Sequence, residues 1–258
     1  MPDTPDSAAT LLLRLAAPLQ SWGLSGQFVM RDTAPYPTKS GVIGLLAAAQ
    51  GRRRGADLAD LTALRFGVRV DQPGHLLTDY HTVSRLDGEP IPAASGARSA
   101  TNQTKVTERT YLADAVFLTG LAATDPDGRA LLEALATAVE HPAYPLALGR
   151  RSCPPQGRLC LGVADGDLLP ALTAAPWQAF PSHRSTRAAG TKLHLIVDDP
   201  HGGDVLPDVP TDFAPVRRRF GARRVEHHWV TPRGDDADLS RNPSVRFDEH
   251  EPFALLGW

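Results

Sequence analysis

Hydrophobic residues occur along the chain in short runs that glycine, proline and polar residues separate, and this pattern favours strands over long helices. Runs rich in leucine, valine and phenylalanine, with turn residues at both ends, are typical of strands with at least one buried face. Such runs predict strands at residues 11–16, 64–71, 110–121 and 158–164, and another that continues outward from Leu76. Two further strands are predicted in the segments "TKLHLIVDD" and "RRVEHHWVTP".

Two segments have helical spacing. Residues 39–50 form a smooth run of small apolar side chains that Gly51 ends. Residues 125–142 carry apolar residues three to four positions apart, which makes one stripe, and Pro142 ends the segment. Strands and helices together follow the order β-α-β-β-α-β, the ferredoxin-like pattern, which is also RRM-like. The predicted fold class is therefore α+β.

A polar segment separates the second and third strands of this pattern. Residues 87–107 read "DGEPIPAASGARSATNQTKVT" and hold few large apolar side chains, so they cannot fill a core. We expect them to form an excursion from the domain. The predicted organisation is an N-terminal extension at 1–10, a ferredoxin-like domain at 11–165, a smaller C-terminal β portion at 166–233 and a tail at 234–258.

Composition and charge are ordinary for a globular protein and narrow the function only a little. Of the 258 residues, 42% are hydrophobic and 22% are charged, and the formal net charge is −2, which excludes a uniformly basic nucleic-acid binder. All but three of the 27 basic residues are arginines, and several are adjacent. Arginine suits bidentate phosphate contacts and stacking on bases, although solvated surface charge explains such clusters equally well.

The chain has only two cysteines, Cys153 and Cys160, and their spacing is not a zinc signature. The first ten residues are acidic and proline-rich, without the positive segment of a signal peptide. The apolar run at 11–17 is short and is broken by Arg14, so it does not predict a membrane span. We therefore expect a cytoplasmic protein without a membrane partner, a metal or another cofactor.

Hydroxyl groups, a lysine and a glycine stand at the start of the first predicted helix, in Thr38, Lys39, Ser40 and Gly41. A helix N-terminus presents free N–H groups and the positive end of the helix dipole, so this turn suits a bound phosphate. The G-x-x-x-x-G-K-[ST] pattern of a P-loop is absent. Thr38 and Ser40 could equally serve only to cap the helix, and both interpretations stay open.

Two other segments carry candidate nucleic-acid contacts. Gln20, Ser21 and Trp22 directly follow the first strand, and the Trp22 ring suits either base stacking or the edge of the core. Arg150 and Arg151 follow a glycine just before the last strand of the pattern. Two adjacent loop arginines are costly to bury together, so phosphate contact and a surface pair are both open.

Catalysis has weaker support in the sequence. His81, Tyr111 and Lys39 are residue types that a metal-free ribonuclease could use as general acid and base, yet nothing in the sequence brings them together. His227 and His228 are adjacent, so on a strand they would face opposite sides and could not chelate one metal. The motifs H-E-x-x-H and G-x-S-x-G are absent. We therefore assign no catalytic residue and no metal ligand.

Five segments carry a resemblance to a known family: "LLLRLAAPLQSWG", "YPTKSGVIGLLAAAQG", "DYHTV", "TERTYLADAVF" and "YPLALGRRSCP", in this order over residues 11–163. Together they resemble the CasD-type subunits of type I-E CRISPR surveillance complexes (Cascade), in the Cas-five family of repeat-associated RNA-binding (RAMP) proteins. The resemblance implies a ferredoxin-like domain with a β-hairpin thumb at about residues 81–110, and a smaller C-terminal β portion.

The resemblance also implies a non-catalytic, RNA-binding role in antiviral defence. The chain would bind the 5′ handle of CRISPR RNA, cap a filament of Cas-seven (CasC) backbone subunits, and contact the large (CasA) subunit and thereby, indirectly, target DNA. Type I-C relatives cut the repeat RNA themselves, so a metal-free endoribonuclease is the alternative, and a metabolic α+β protein with an anion site at Lys39 is a third. The predicted RNA-binding residues are Gln20, Ser21, Trp22, Arg31, Thr38, Lys39, Ser40, Gly41, His81, Thr82, Arg109, Tyr111, Arg150 and Arg151.

Overall fold

The computed structural model describes residues 8–23, 30–85, 89, 104–188, 190–212 and 219–232. Most of the N-terminal extension predicted at 1–10, most of the polar segment at 87–107 and the tail at 234–258 lie outside the described residues. In chain order the elements are β1 (Ala9–Ala16), β2 (Leu19–Gln20), β3 (Met30–Arg31), α1 (Lys39–Ala49), α2 (Ala59–Ala63), β4 (Arg65–Gln72), β5 (His75–Ser84), β6 (Thr104–Ala113), β7 (Val116–Ala123), α3 (Pro126–Glu140), β8 (Cys160–Asp165), α4 (Leu168–Ala174), α5 (Pro181–Ser185), β9 (Leu193–Asp198), β10 (Asp204–Asp212) and β11 (Arg219–Val230).

Seven strands form one sheet in the spatial order β10-β11-β9-β4-β7-β1-β8, and every neighbouring pair is antiparallel. Along the chain, β1, α1, β4, β7, α3 and β8 follow one another in the predicted β-α-β-β-α-β order. Their four strands are adjacent in the sheet. The predicted α+β class is confirmed, and the predicted ends of β1, α1, β4, α3 and β8 differ from the observed ones by at most two residues. The strand predicted at 110–121 is wrong as a single strand, because it spans the end of β6 and most of β7, which belong to different sheets.

The middle of this sheet is covered on both faces, which explains why nearly all residues of β1 and β7 are buried. On one face α1 and α3 pack over the main apolar cluster. On the other face, Leu168 and Leu172 of α4 pack against Leu12 and Leu118. The hydrophobic pattern did not predict α4, because this helix is short and contains Pro170 in its first turn.

The C-terminal strands extend the same sheet, since β9 pairs directly with β4. β9 and β11 were predicted from the sequence, but β10, which contains Pro207 and Pro210, was not. Proline interrupts a strand pattern, and it is tolerated here because β10 lies at the edge of the sheet.

A buried ion pair fastens α4 to this sheet. Arg69 on β4 is fully buried and makes two hydrogen bonds to the carboxylate of Asp71, at 2.7 and 2.8 Å. It also donates to the main-chain carbonyls of Leu172, Ala175 and Pro176. The arginine thus satisfies carbonyls that the end of a helix leaves without partners.

The second sheet is small and is built around the β5–β6 hairpin. The two strands pair from His75 opposite Ala113 to Ser84 opposite Thr104, while β2 and β3 pair with the other edge of β6. Almost every residue of β5 is exposed, so β5 adds little to the core, whereas Tyr111 and Leu112 at the end of β6 belong to it. The stem of the hairpin lies where the thumb is predicted, but β6 begins at Thr104, so the last residues of the polar segment are strand.

Candidate nucleic-acid interface

The start of α1 is capped from within the chain. The hydroxyl oxygen of Thr38 accepts the N–H of Gly41 at 3.2 Å, which is an N-cap hydrogen bond. The N–H of Lys39 donates to Oδ2 of Asp208 at 2.8 Å. An anion does lie at this helix N-terminus, as the helix dipole favours, but it is a carboxylate of β10 rather than a phosphate.

The contact between Lys39 and Asp208 is part of a cluster of four charged side chains. Lys39 Nζ lies 3.2 Å from Oδ2 of Asp198. Arg223 joins both acids, with Nε 2.6 Å from Oδ1 of Asp208 and Nη1 2.5 Å from Oδ1 of Asp198. We call these largely buried residues the α1 ion cluster (Lys39, Asp198, Asp208 and Arg223). The cluster fastens α1 to β9, β10 and β11.

In this structure protein contacts therefore largely close the turn at residues 38–41, so the fold gives no support to the RNA contact predicted there. Thr38, Lys39 and Ser40 are buried, and the hydroxyls of Thr38 and Ser40 lie 3.3 Å apart. Of the two open interpretations, helix capping is confirmed. Sequence reasoning could not find the acid partners of Lys39, because they are 159 and 169 residues away along the chain.

The segment after β1 is also part of the interior. Trp22 is fully buried, and its Nε1 donates to Oε1 of Gln20 at 3.1 Å. The Gln20 amide donates to the carbonyls of Leu15 and Ala115 at 3.1 and 2.7 Å. Of the two alternatives for Trp22, base stacking and a place in the core, the structure shows the core. Because Ser21 is buried too, these three predicted contacts do not face solvent in this structure.

The loop before β8 presses against this buried segment. The N–H of Ser21 donates to the carbonyl of Leu148 at 3.1 Å. Gly149 has a φ of 88°, and a Cβ at this position would lie 1.6 Å from the Ser21 carbonyl oxygen. Glycine is required on both counts. The conformation of this loop therefore sets the direction in which the Arg150 side chain points.

Arg150 reaches from this loop to the base of the hairpin. Its guanidinium lies over the Tyr111 ring, 4.5 Å from the centroid. Its Nη1 donates to the carbonyl of Thr110 at 2.9 Å, and its Nη2 to the carbonyl of Arg31 at 2.5 Å. Tyr111 itself is buried beneath it, whereas Arg31 and Arg151 are exposed. The structure thus brings Arg31, Tyr111 and Arg150 together.

The hairpin has two unlike faces, because side chains alternate along a strand. The register sets Asp79 opposite Arg109 and His81 opposite Thr107, on the face that also carries Tyr111. His81 Nε2 lies 2.6 Å from Oδ2 of Asp79, and Arg109 Nε donates to the Thr107 hydroxyl at 3.3 Å. We call this side the basic face (His81, Arg109 and Tyr111, with Arg150 over the tyrosine).

The opposite side of the hairpin is apolar at three positions. Leu76 is 67% exposed and Tyr80 is 70% exposed, and Val106 is exposed on the neighbouring strand. We call this side the apolar face (Leu76, Tyr80 and Val106). Thr82 pairs with Val106 and lies on this side, so it is separated from His81. Sequence reasoning did not select these apolar residues, although the alternation in "LLTDYHTV" was a signal for them.

The three candidate acid–base residues do not share a site. Lys39 belongs to the α1 ion cluster, Tyr111 lies beneath Arg150, and His81 contacts Asp79. Among the described residues, no group of three or more His, Cys, Asp or Glu side chains is placed to hold a metal ion. None of the described helices is long and apolar enough to cross a membrane.

Replacing Gly149 by alanine is expected to lower the free energy of unfolding by about 2–3 kcal/mol, because the new Cβ overlaps the Ser21 carbonyl at a positive φ. Gly157→Ala is the matched control. Gly157 also has a positive φ, of 72°, but the nearest atom to its Cβ position is 3.7 Å away. We expect it to cost about 1 kcal/mol. Urea denaturation measures both, and equal costs would contradict a specific contact between Gly149 and Ser21.

Fold and interface together define a class: an α+β protein that carries a mostly exposed β-hairpin, one face of which is basic. Comparison with known proteins narrows the class. The sequence profile of the family described as CRISPR-associated protein (Cas_Cas5) matches residues 10–226. The chain belongs to this Cas5 family of CRISPR-associated proteins, and the resemblance inferred from the five sequence segments is confirmed.

Individual relatives agree with this assignment. The chain is 38% identical over 161 residues to the CRISPR system Cascade subunit CasD of Escherichia coli (strain K12). The aligned region covers 59% of this chain and 70% of that protein. A chain of a solved CRISPR RNA-guided surveillance complex superimposes with a TM-score of 0.69 at 38% identity, covering 86% of this chain and 90% of that one. A solved Cas protein gives a TM-score of 0.65 at 38% identity, covering 87% and 98%.

Proposed function

We propose that the chain is a non-catalytic, RNA-binding subunit of a type I-E CRISPR surveillance complex (Cascade). In this role it holds the 5′ handle of CRISPR RNA, caps a filament of Cas-seven (CasC) backbone subunits and adjoins the large (CasA) subunit. Family membership, the Cascade subunit CasD as a relative and the fold shared with a chain of a surveillance complex support this proposal.

The observation that carries the RNA contact is the fixed position of Arg150 on the basic face. Two of its N–H groups donate to main-chain carbonyls and its plane rests on Tyr111. A guanidinium has five N–H donors, so three remain to serve a phosphate. Holding the side chain in place beforehand reduces the entropy that RNA binding would cost. Arg31, Arg109 and Arg151 add positive charge around this point.

The apolar face supplies the proposed contact with a backbone subunit. A two-stranded hairpin has no second layer of its own to cover Leu76, Tyr80 and Val106, all three of which are exposed. Exposed apolar side chains grouped on one surface are typical of protein interaction sites. RNA on the basic face and a neighbouring subunit on the apolar face would place the hairpin between the two.

The test is the double variant Arg150→Ala/Arg151→Ala. Each lost phosphate contact with single-stranded RNA should reduce the slope of log affinity against log salt by about 0.7, so we expect a decrease of about 0.7–1.4. The matched control is Arg53→Ala/Arg54→Ala, an exposed adjacent pair after α1. It should keep the slope and the affinity. An unchanged slope in the Arg150/Arg151 variant, with the protein folded, contradicts phosphate contact.

The same preparation tests the non-catalytic assignment. Repeat RNA is incubated with the protein in EDTA, and the RNA is examined for defined fragments. We expect binding without cleavage. Site-specific cleavage that Arg150→Ala/Arg151→Ala or His81→Ala abolishes would contradict the proposal and establish a metal-free endoribonuclease instead.

A further inference from the structure

Away from the hairpin and the α1 ion cluster, three aromatic rings and a carboxylate form a row on the seven-stranded sheet. His194 on β9 lies opposite Trp229 on β11, and their rings are parallel within 17° with centroids 4.7 Å apart. His194 Nε2 lies 2.7 Å from His227 Nδ1, and His227 Nε2 lies 3.2 Å from Oδ2 of Asp204. We call this row the ring platform (Asp204, His227, His194 and Trp229).

Hydrogen bonds hold the inner rings of the platform. The Asp204 carboxylate favours a proton on Nε2 of His227, which leaves Nδ1 of His227 to accept a hydrogen bond from His194 Nε2. The two imidazoles are within 19° of parallel with centroids 4.9 Å apart. With nitrogens only 2.7 Å apart, this separation means that they lie edge to edge in nearly one plane. Partial burial, and then the neighbouring His227, lowers the pKa of His194, which favours its neutral form.

Trp229 ends the row, and within the described part of the chain one face of its ring is uncovered. His194 covers one face of the indole, yet Trp229 is still 62% exposed. An indole that is held flat by a stacked neighbour and has an open face suits a second flat ring, in the offset-stacked arrangement that aromatic rings prefer.

We infer that Trp229 is a stacking site for an unpaired base of a single-stranded nucleic acid, additional to the basic face. Every base has a π-face, so such a site tolerates any sequence. The inference rests on the proposed function in one respect, that the chain binds nucleic acid. The base could come from RNA or from displaced DNA, and the chemistry of the contact is the same.

The experiment titrates the full-length protein with three short strands of equal length: oligouridylate, oligothymidylate and an abasic strand with the same phosphates. Stacking should quench indole fluorescence with the first two strands and not with the abasic one. Trp229→Ala should lower the affinity for the base-containing strands by about 5- to 100-fold and leave abasic binding unchanged. Trp229→Phe should keep part of the affinity. Tighter binding of the RNA or of the DNA strand identifies the source of the base.

The matched control is Phe220→Ala, which removes another aromatic side chain from β11, 40% exposed; it should bind as the wild type does. Three results would each overturn the inference: no base-dependent quenching in the wild type, a Trp229→Ala variant that loses affinity equally for the abasic strand, or one that binds all strands normally but no longer joins a protein partner. Arg150→Ala/Arg151→Ala in the same titration reports on the basic face through the salt slope. The two proposals can therefore fail separately.

Discussion

Shortening the β5–β6 hairpin is expected to abolish RNA retention while the domain stays folded. The variant replaces residues 79–109 by an Asn-Gly turn that joins Thr78 to Thr110. These two residues are paired in the ladder, so a two-residue turn closes the strands in register. Thr110 and Tyr111, which contact Arg150, stay in place, whereas the pairing of β3 with residues 108 and 109 is lost, so the Arg31 carbonyl that also accepts from Arg150 is held less firmly.

The expected separation of stability from function follows from burial. Among the described residues that the variant removes, only Thr107 is buried, so we expect the midpoint of thermal unfolding to fall by about 4 °C at most. Arg109 and His81 of the basic face and Tyr80 of the apolar face are lost together. Co-expression with the Cas-seven subunit and CRISPR RNA should therefore recover the shortened chain without either partner.

A milder variant replaces residues 85–103 by the same Asn-Gly turn, which joins Ser84 to its paired residue Thr104. This variant keeps both faces of the stem. We expect it to retain RNA and the backbone subunit at least in part, which would assign the contacts to the stem. If the shorter hairpin unfolds the domain, the hairpin is structural. If the protein still assembles and holds RNA normally, the two-faced hairpin is not an interface.

The central fold could be predicted from the sequence because its signals are local. β1, β4, α1 and α3 each have an apolar period and turn residues at their ends, whereas the turn between β6 and β7 was missed because apolar residues lie on both sides of it. The attachment of β9 to β4 could not be predicted in this way, since pairing between distant strands leaves no local pattern. β10 was missed for a different reason, because its prolines are acceptable only at a sheet edge.

The candidate interface could be predicted in part. Arg150 was found from "LGRR" because a glycine followed by adjacent arginines indicates a turn that presents charge. The role of Lys39 could not be decided from the sequence, because its hydroxyl-rich surroundings suit a bound phosphate and a helix cap equally well, and only the fold shows the Asp208 carboxylate at this position. Trp229 carried no signal at all, since its stacking partner His194 lies on another strand.

The α1 ion cluster gives the largest expected effect on stability, and Asp208→Ala tests it. The Asp208 carboxylate accepts from the Lys39 N–H at 2.8 Å and from two nitrogens of Arg223, at 2.6 and 3.0 Å. Removing it leaves a largely buried guanidinium with Asp198 as its remaining acid in the cluster, and leaves one N–H at the start of α1 without its acceptor. Breaking a buried ion pair in this way costs about 3–5 kcal/mol.

Asp60→Ala is the control, because Asp60 pairs with Arg52 in the same bidentate manner at the surface. An exposed pair contributes only about 0–1 kcal/mol. Urea denaturation of the two variants should therefore give clearly separated midpoints with similar slopes, and overlapping midpoints would contradict the buried role of Asp208. Below the unfolding transition, Asp208→Ala should bind RNA with nearly wild-type affinity, because Thr38, Lys39 and Ser40 at the start of α1 are buried. A folded Asp208→Ala variant with much tighter RNA binding would instead mean that Asp208 occupies a position that a phosphate of the RNA can take.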